Sequence, residues 1–126
     1  MNQIHTEKLQ RLVSVLQSQK PPFFVTEEQM HAFVANCLEQ NQIEYIHEYR
    51  FANRARIDFY CDGIGIEIKK GKPNRAQILA QLKKYAEENT ICAIIVLVQS
   101  AMQLPQSLAN KPIYVLPIYK AWSLSL

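Results

Sequence analysis

Asp58, Glu67 and Lys69 are the residues whose types and spacing point to chemistry. They lie in one stretch, Arg56-Ile57-Asp58-Phe59-Tyr60-Cys61-Asp62-Gly63-Ile64-Gly65-Ile66-Glu67-Ile68-Lys69. Its centre, Asp62-Gly63, favours a two-residue hairpin turn, because both residues accept positive φ. With the turn there, paired residues sum to 125, so Cys61 faces Ile64, Phe59 faces Ile66 and Asp58 faces Glu67. Side chains alternate along a strand, which puts Lys69 on the same face as Glu67. The other face then carries Ile57, Phe59, Ile66 and Ile68 and reads as a core surface. Like charges directly opposite on a ladder destabilise it. A bound cation would turn that liability into a site.

Such a site suits phosphodiester hydrolysis. The reaction needs a water nucleophile, neutralised charge on the phosphate and a stabilised leaving oxygen. Mg²⁺ assists all three and prefers hard oxygen ligands. Asp58 and Glu67 would offer two such oxygens from rigid strands, with a backbone carbonyl and waters completing the shell. Lys69 has two roles open to it. It can orient or deprotonate the attacking water, the latter requiring a depressed pKa, or it can stabilise charge in the transition state.

Several elements must position these groups. Leu9, Leu12, Val13 and Leu16 predict an amphipathic helix over 7–18, ended by Pro21-Pro22, that docks either on the core or on a partner chain. Thr26 predicts an N-cap, and Gln29 completes a capping box. That helix runs to about Gln40 and buries Met30, Val34, Cys37 and Leu38. Glu27 lies close to this stripe, whereas Glu28 points away; both also complement the helix dipole. A strand is expected over 43–51, with Ile43, Tyr45, His47 and Tyr49 on one face. After the hairpin, Gly71-Lys72-Pro73-Asn74 breaks the chain, and a helix is expected from about Arg75 to Glu88. The apolar run over 91–98 suits a central strand covered on both faces. A polar connection with room for a helical turn spans 100–111, and a last strand over 113–118 carries Pro117, which suggests an edge. The predicted class is α/β, a mixed central sheet flanked by helices. The division is an N-terminal helix and linker over 1–22 and a single domain over 23–126.

Asp58 followed by Glu67-Ile68-Lys69 across a short hairpin resembles the D…ExK signature of the PD-(D/E)XK nuclease superfamily. The predicted element order over roughly 26–98 is similar to that superfamily's restriction-endonuclease-like α-β-β-β-α-β core. Gln81 and Tyr85 form a Gln-x-x-x-Tyr motif similar to the RecB and λ-exonuclease branch, and a spacing of four puts both on one helical face, with Gln77 a turn earlier. Ile57 stands where the superfamily's name has proline, a departure that many members share. The resemblance implies a Mg²⁺-dependent deoxyribonuclease, with Mn²⁺ as a substitute metal. In it Asp58 and Glu67 bind metal, Lys69 activates water, Gln81 and Tyr85 support the site, and Glu27 assists catalysis through a metal-site contact from the first helix, with Glu28 as the second choice.

The 126 residues fit one domain, and 48% of them are hydrophobic, which excludes a disordered chain. No apolar run approaches a membrane span, and the first twenty residues lack a signal-peptide pattern, so a cytoplasmic protein is expected. Cys37, Cys61 and Cys92 share no metal-binding or redox spacing and read as reduced, mostly buried thiols. His5, His31 and His47 likewise lack ligand spacing and read as surface or partly buried residues. Trp122 reads as core, with an interface as the alternative. The net charge is only +3, yet eight of the fourteen basic residues fall between Arg54 and Lys84. Arg56, Lys70, Lys72 and Arg75 are therefore the expected phosphate contacts, and DNA the expected partner. The resemblance further implies a homodimer or the nuclease part of a larger assembly, and a phage or mobile-element origin. The competing readings are a catalytically silent module of the same fold that binds nucleic acid or protein, and a plain interaction domain with a surface salt bridge.

Overall fold

The computed structural model describes residues 3–19 and 26–118. Pro21-Pro22 and Trp122 lie outside the described residues. Helix α1 (Gln3–Ser18) and helix α2 (Glu27–Gln40) are followed by strands β1 (Ile46–Arg50), β2 (Arg56–Cys61) and β3 (Ile64–Lys69). Helix α3 (Arg75–Ala86) and strands β4 (Ala93–Val98), β5 (Ser107–Leu108) and β6 (Lys111–Pro117) complete the chain. The strands form one mixed sheet in the order β1-β2-β3-β4-β6-β5. β1, β2 and β3 pair antiparallel, while β3, β4 and β6 are parallel.

The two layers flanking the sheet follow from side-chain patterns. Thr26 Oγ1 accepts from the Gln29 N–H, and the Gln29 side chain accepts from the Thr26 N–H, so the capping box closes. The α2 stripe of Met30, Val34, Cys37 and Leu38 is buried as expected. Helix α1 begins earlier than its leucine pattern suggests, and it docks on the core through Leu12, Val13, Val15 and Leu16. These two helices cover one sheet face, over Phe59, Ile66, Ile95 and Leu97. On the other face, α3 packs Ile78, Leu82 and Tyr85 over Ile57, Ile94 and Val96. Every residue of β4 is buried, because its side chains alternate between two covered faces.

The Asp62-Gly63 turn forms with φ of +44° and +96°, values that suit a tight hairpin between right-twisted strands. Its register is the expected one for Phe59–Ile66, Tyr60–Gly65 and Cys61–Ile64. The ladder then lapses at Asp58 and Glu67, where no backbone pair forms. The expected core face is corrected there. Phe59 joins the α1/α2 side, but Ile57, two residues earlier, joins the α3 side. β1 switches faces at the same rung. Glu48 takes φ +56°, and His47 stacks on Phe59 while Tyr49 stacks on Tyr60. Strict alternation, which placed His47 and Tyr49 together, fails because one left-handed residue resets the pleat.

Three further expectations change. β6, expected at an edge because of Pro117, lies between β4 and the two-residue β5. β1 starts at Ile46 rather than Ile43. The 100–111 connection holds no helical turn; it contributes β5, which hairpins onto β6 through Ala109 and Asn110, both at positive φ. Cys37 and Cys61 are buried, which pushes their thiols up to about 11 and about 12, and all three cysteines are free.

Gly65 makes the crossing of Ile57 possible. A Cβ at Gly65 would stand 2.2 Å from Ile57 Cδ1 and 3.2 Å from Ile91 Cδ1. Both isoleucines are buried, with little room to turn aside. Gly65→Ala should therefore lower unfolding free energy by about 1–3 kcal/mol through overpacking, read as a lower urea midpoint with an unchanged m-value.

Candidate active site

The lapse in the β2–β3 ladder is where the site begins. A buried backbone N–H needs an acceptor, and here two carboxylates replace missing strand carbonyls. The Ile68 N–H donates to Asp58 Oδ2 at 2.8 Å, and the Asp58 N–H donates to Glu67 Oε1 at 3.3 Å. The two side chains thus lace the strands together where the backbone does not. They do not share one face as the simple register implied. Asp58 lines a cleft on the α2 side, while Glu67 lies under α3, with only 3% of its side chain exposed.

Glu67 has a full set of partners. Lys69 Nζ stands 3.1 Å from Glu67 Oε2, as the strand spacing predicted. The Tyr85 hydroxyl lies 3.2 Å from Glu67 Oε1 and donates to the Arg56 carbonyl at 2.7 Å. Gln81 hydrogen-bonds the Tyr85 hydroxyl in turn. The Gln-x-x-x-Tyr pair therefore meets the acid–lysine hairpin through Tyr85, because α3 returns across the sheet directly after β3. Burial raises the Tyr85 pKa, reinforced by the charge of Glu67, so the phenol stays protonated.

Two clefts flank the carboxylates. The α3-side cleft, about 530 Å³, is lined by Arg56, Lys69, Asn74, Gln77, Gln81, Lys84 and Tyr85 and carries positive charge. The α2-side cleft, about 460 Å³, is lined by Glu27, Glu28, His31, Ala32, Ala35, His47, Glu48, Arg56 and Asp58. Arg56 borders both and pairs with Glu48 at 3.1 Å. Glu27 is exposed at the cleft wall, and its charge contributes to the raised pKa of Asp58. Glu28 lines the same cleft, contrary to the helical-wheel expectation that it points elsewhere.

No protein-family model matches the chain, and neither a curated protein nor a solved structure is significantly similar to it. Among the described residues, no three His, Cys, Asp or Glu side chains gather in a metal-binding group, and no helix is long and apolar enough to cross a membrane.

Several expected contacts sit elsewhere. Lys70 and Lys72 are exposed and line neither cleft. Arg75 Nε donates to the Gln103 carbonyl at 2.9 Å, which ties it to the loop after β4. Lys84 takes a place in the basic cleft that the sequence reading did not assign, although its i+3 spacing from Gln81 puts it on the same helix face. His31 and His47 were also missed. His31 lies four residues after Glu27, a usable helical signal. It meets His47 with 2.8 Å between Nδ1 and Nε2, and its own Nε2 is 3.8 Å from Asp58 Oδ1. His47 had no such signal, because its orientation depends on the turned residue Glu48.

The carboxylates carry a titration signature. Burial raises both, and the charge of Asp58 adds to the effect on Glu67, which is pushed up to about 7 despite Lys69. A carboxyl whose pKa is raised on folding stabilises the fold least when ionised. Stability should therefore be fullest below the ordinary glutamate range and fall as pH rises toward 7. In chelator, the wild-type protein should lose up to about 3 kcal/mol between pH 4.5 and 7.5 from this group, read as a falling Tm. Glu67→Gln should flatten that slope.

Proposed function

We propose that the chain is a Mg²⁺-dependent nuclease that hydrolyses DNA phosphodiester bonds, of the PD-(D/E)XK kind that its hairpin resembles. The observation that carries this reading is the meeting of Asp58 and Glu67 across the opened ladder, with the Lys69 ammonium 3.1 Å from Glu67. The order α2-β1-β2-β3-α3-β4 supports it, as does the contact of Tyr85 with Glu67.

The donor set fits the metal. Two carboxylates offer hard oxygens, and their mutual repulsion is what a divalent cation relieves. Asp58 and Glu67 would hold Mg²⁺, which when bound would neutralise phosphate charge and acidify a water. The rest belongs to the chain. Lys69, 21% exposed at the floor of the basic cleft, orients the attacking water or holds the charge that develops on the phosphate. Arg56 and Lys84 bind flanking phosphate oxygens from the walls. Tyr85 and Gln81 keep Glu67 in place.

A second reading, a silent module of the same fold that binds nucleic acid, is favoured by the deep burial of Glu67 and its full set of partners. Cleavage separates the two. Linear, circular and branched DNA should be cut with Mg²⁺ or Mn²⁺ and left intact in EDTA or by Asp58→Ala. Lys69→Ala should slow cleavage about 10²–10³-fold while sparing DNA binding. Bound but uncut DNA on every substrate would favour the silent module.

Metal binding gives an independent readout. Mg²⁺ at a hundredfold its Kd should add about 3 kcal/mol of stability, read as a raised Tm at pH 7.5. Asp58→Ala should abolish that increment. No shift in the wild-type protein would remove the metal from the proposal.

A further inference from the structure

The two clefts have opposite character, and that partition bears on the substrate. A polyanion's phosphates fit the basic α3 side. The α2-side cleft repels phosphate, since the carboxylates of Glu27, Glu28, Glu48 and Asp58 line it against the single guanidinium of Arg56. Yet it opens onto Asp58 and shares Arg56 with the basic cleft, and its volume of about 460 Å³ is ample for a nucleoside.

Its other walls suit a flat heterocycle. His47 is stacked on Phe59 with ring centroids 4.7 Å apart and planes at 25°. His31 meets His47 edge-on at 5.0 Å and holds it through the 2.8 Å nitrogen contact. A fixed ring that is 43% exposed on its side chain offers a platform for stacking. Ala32 and Ala35 supply apolar wall without bulk. Carboxylates then have a use that phosphate would not give them, because they accept hydrogen bonds from base N–H donors.

We propose that the α2-side cleft is a nucleobase subsite. It would receive one unstacked base next to the cleaved phosphate, with His47 as platform and Glu28 as reader of the base edge. The substrate class is then single-stranded or locally unpaired DNA, since a paired base cannot leave its stack without cost. Guanine is the base of choice. Its N1–H and N2–H₂ donors lie side by side and match both oxygens of one carboxylate. Thymine offers one N–H between two carbonyls that a carboxylate repels. This inference rests on the nuclease reading for the position of the phosphate, but base recognition can be read without cleavage.

The test is fluorescence anisotropy in EDTA with two labelled heptamers, oligothymidylate and the same strand with one central guanine. The guanine strand should bind about tenfold tighter, the scale of one bidentate base contact. Annealing it to its complement should reduce binding. Glu28→Gln should erase the guanine preference, and His47→Ala should weaken both strands, with circular dichroism confirming that each variant is folded. Equal affinity for the two strands overturns the subsite, as does a preference that survives Glu28→Gln or tighter binding of the duplex. Cleavage of both strands with Mg²⁺ is scored separately. Cutting without base preference would leave the nuclease reading intact while this one fails, and base preference without cutting would do the reverse.

Discussion

The structure turns on one rung of the sheet, where side-chain carboxylates replace backbone pairing. Asp58 and Glu67 each accept a backbone N–H across the β2–β3 gap, so neither is free to leave without orphaning a buried donor. That requirement places two acids side by side at the middle of a hydrophobic sheet. It also explains why both have raised pKa values: the contacts that hold them also bury them. Lys69 offsets part of the cost by pairing with Glu67. Among the described residues, no buried side-chain nitrogen or oxygen lacks a partner. The network is thus satisfied by the chain's own groups, the condition under which buried polar groups rigidify a fold.

The same rung divides the surface. Glu48 in β1 adopts left-handed backbone beside Asp58, and both strands exchange faces there. Left-handed backbone costs roughly 1–2 kcal/mol for a residue with a Cβ, and an isolated example within a strand invites a functional reading. Its consequence is geometric. Tyr49 and Ile57 turn toward α3, while His47 and Phe59 turn toward α2. Asp58 opens to an acidic cleft with two histidines, and Lys69 opens to a basic one, only two rungs apart.

Much of this was legible in the chain. The Asp62-Gly63 turn determined three backbone pairs, because two residues that tolerate positive φ leave a hairpin little choice of register. The α2 stripe and its capping box were readable for a similar reason: both are local patterns, set within four residues. The unbroken apolar run of β4 announced a strand covered on both sides. Lys69 fell beside Glu67 because strand period alone puts it there. What failed was the extension of a regular pattern through an irregular point. Ile57 was assigned to the wrong face because nothing local marks a lapse in the ladder at Asp58. Glu28 was turned away from the site because a helical wheel has no knowledge of what stands opposite its exposed side.

The sequence by itself determined every described element but β5, their order, the turn register and the acid–lysine spacing, all products of short-range sterics and periodicity. Only the tertiary structure decided that α3 carries Tyr85 to Glu67, and that α2 carries His31 to Asp58. Those meetings join residues far apart in the chain, and they depend on how the helices pack over an interrupted sheet. The decisive contacts at Asp58 and Glu67 arise from a broken alternation, and a sequence records its periodic order far more plainly than the point where that order stops.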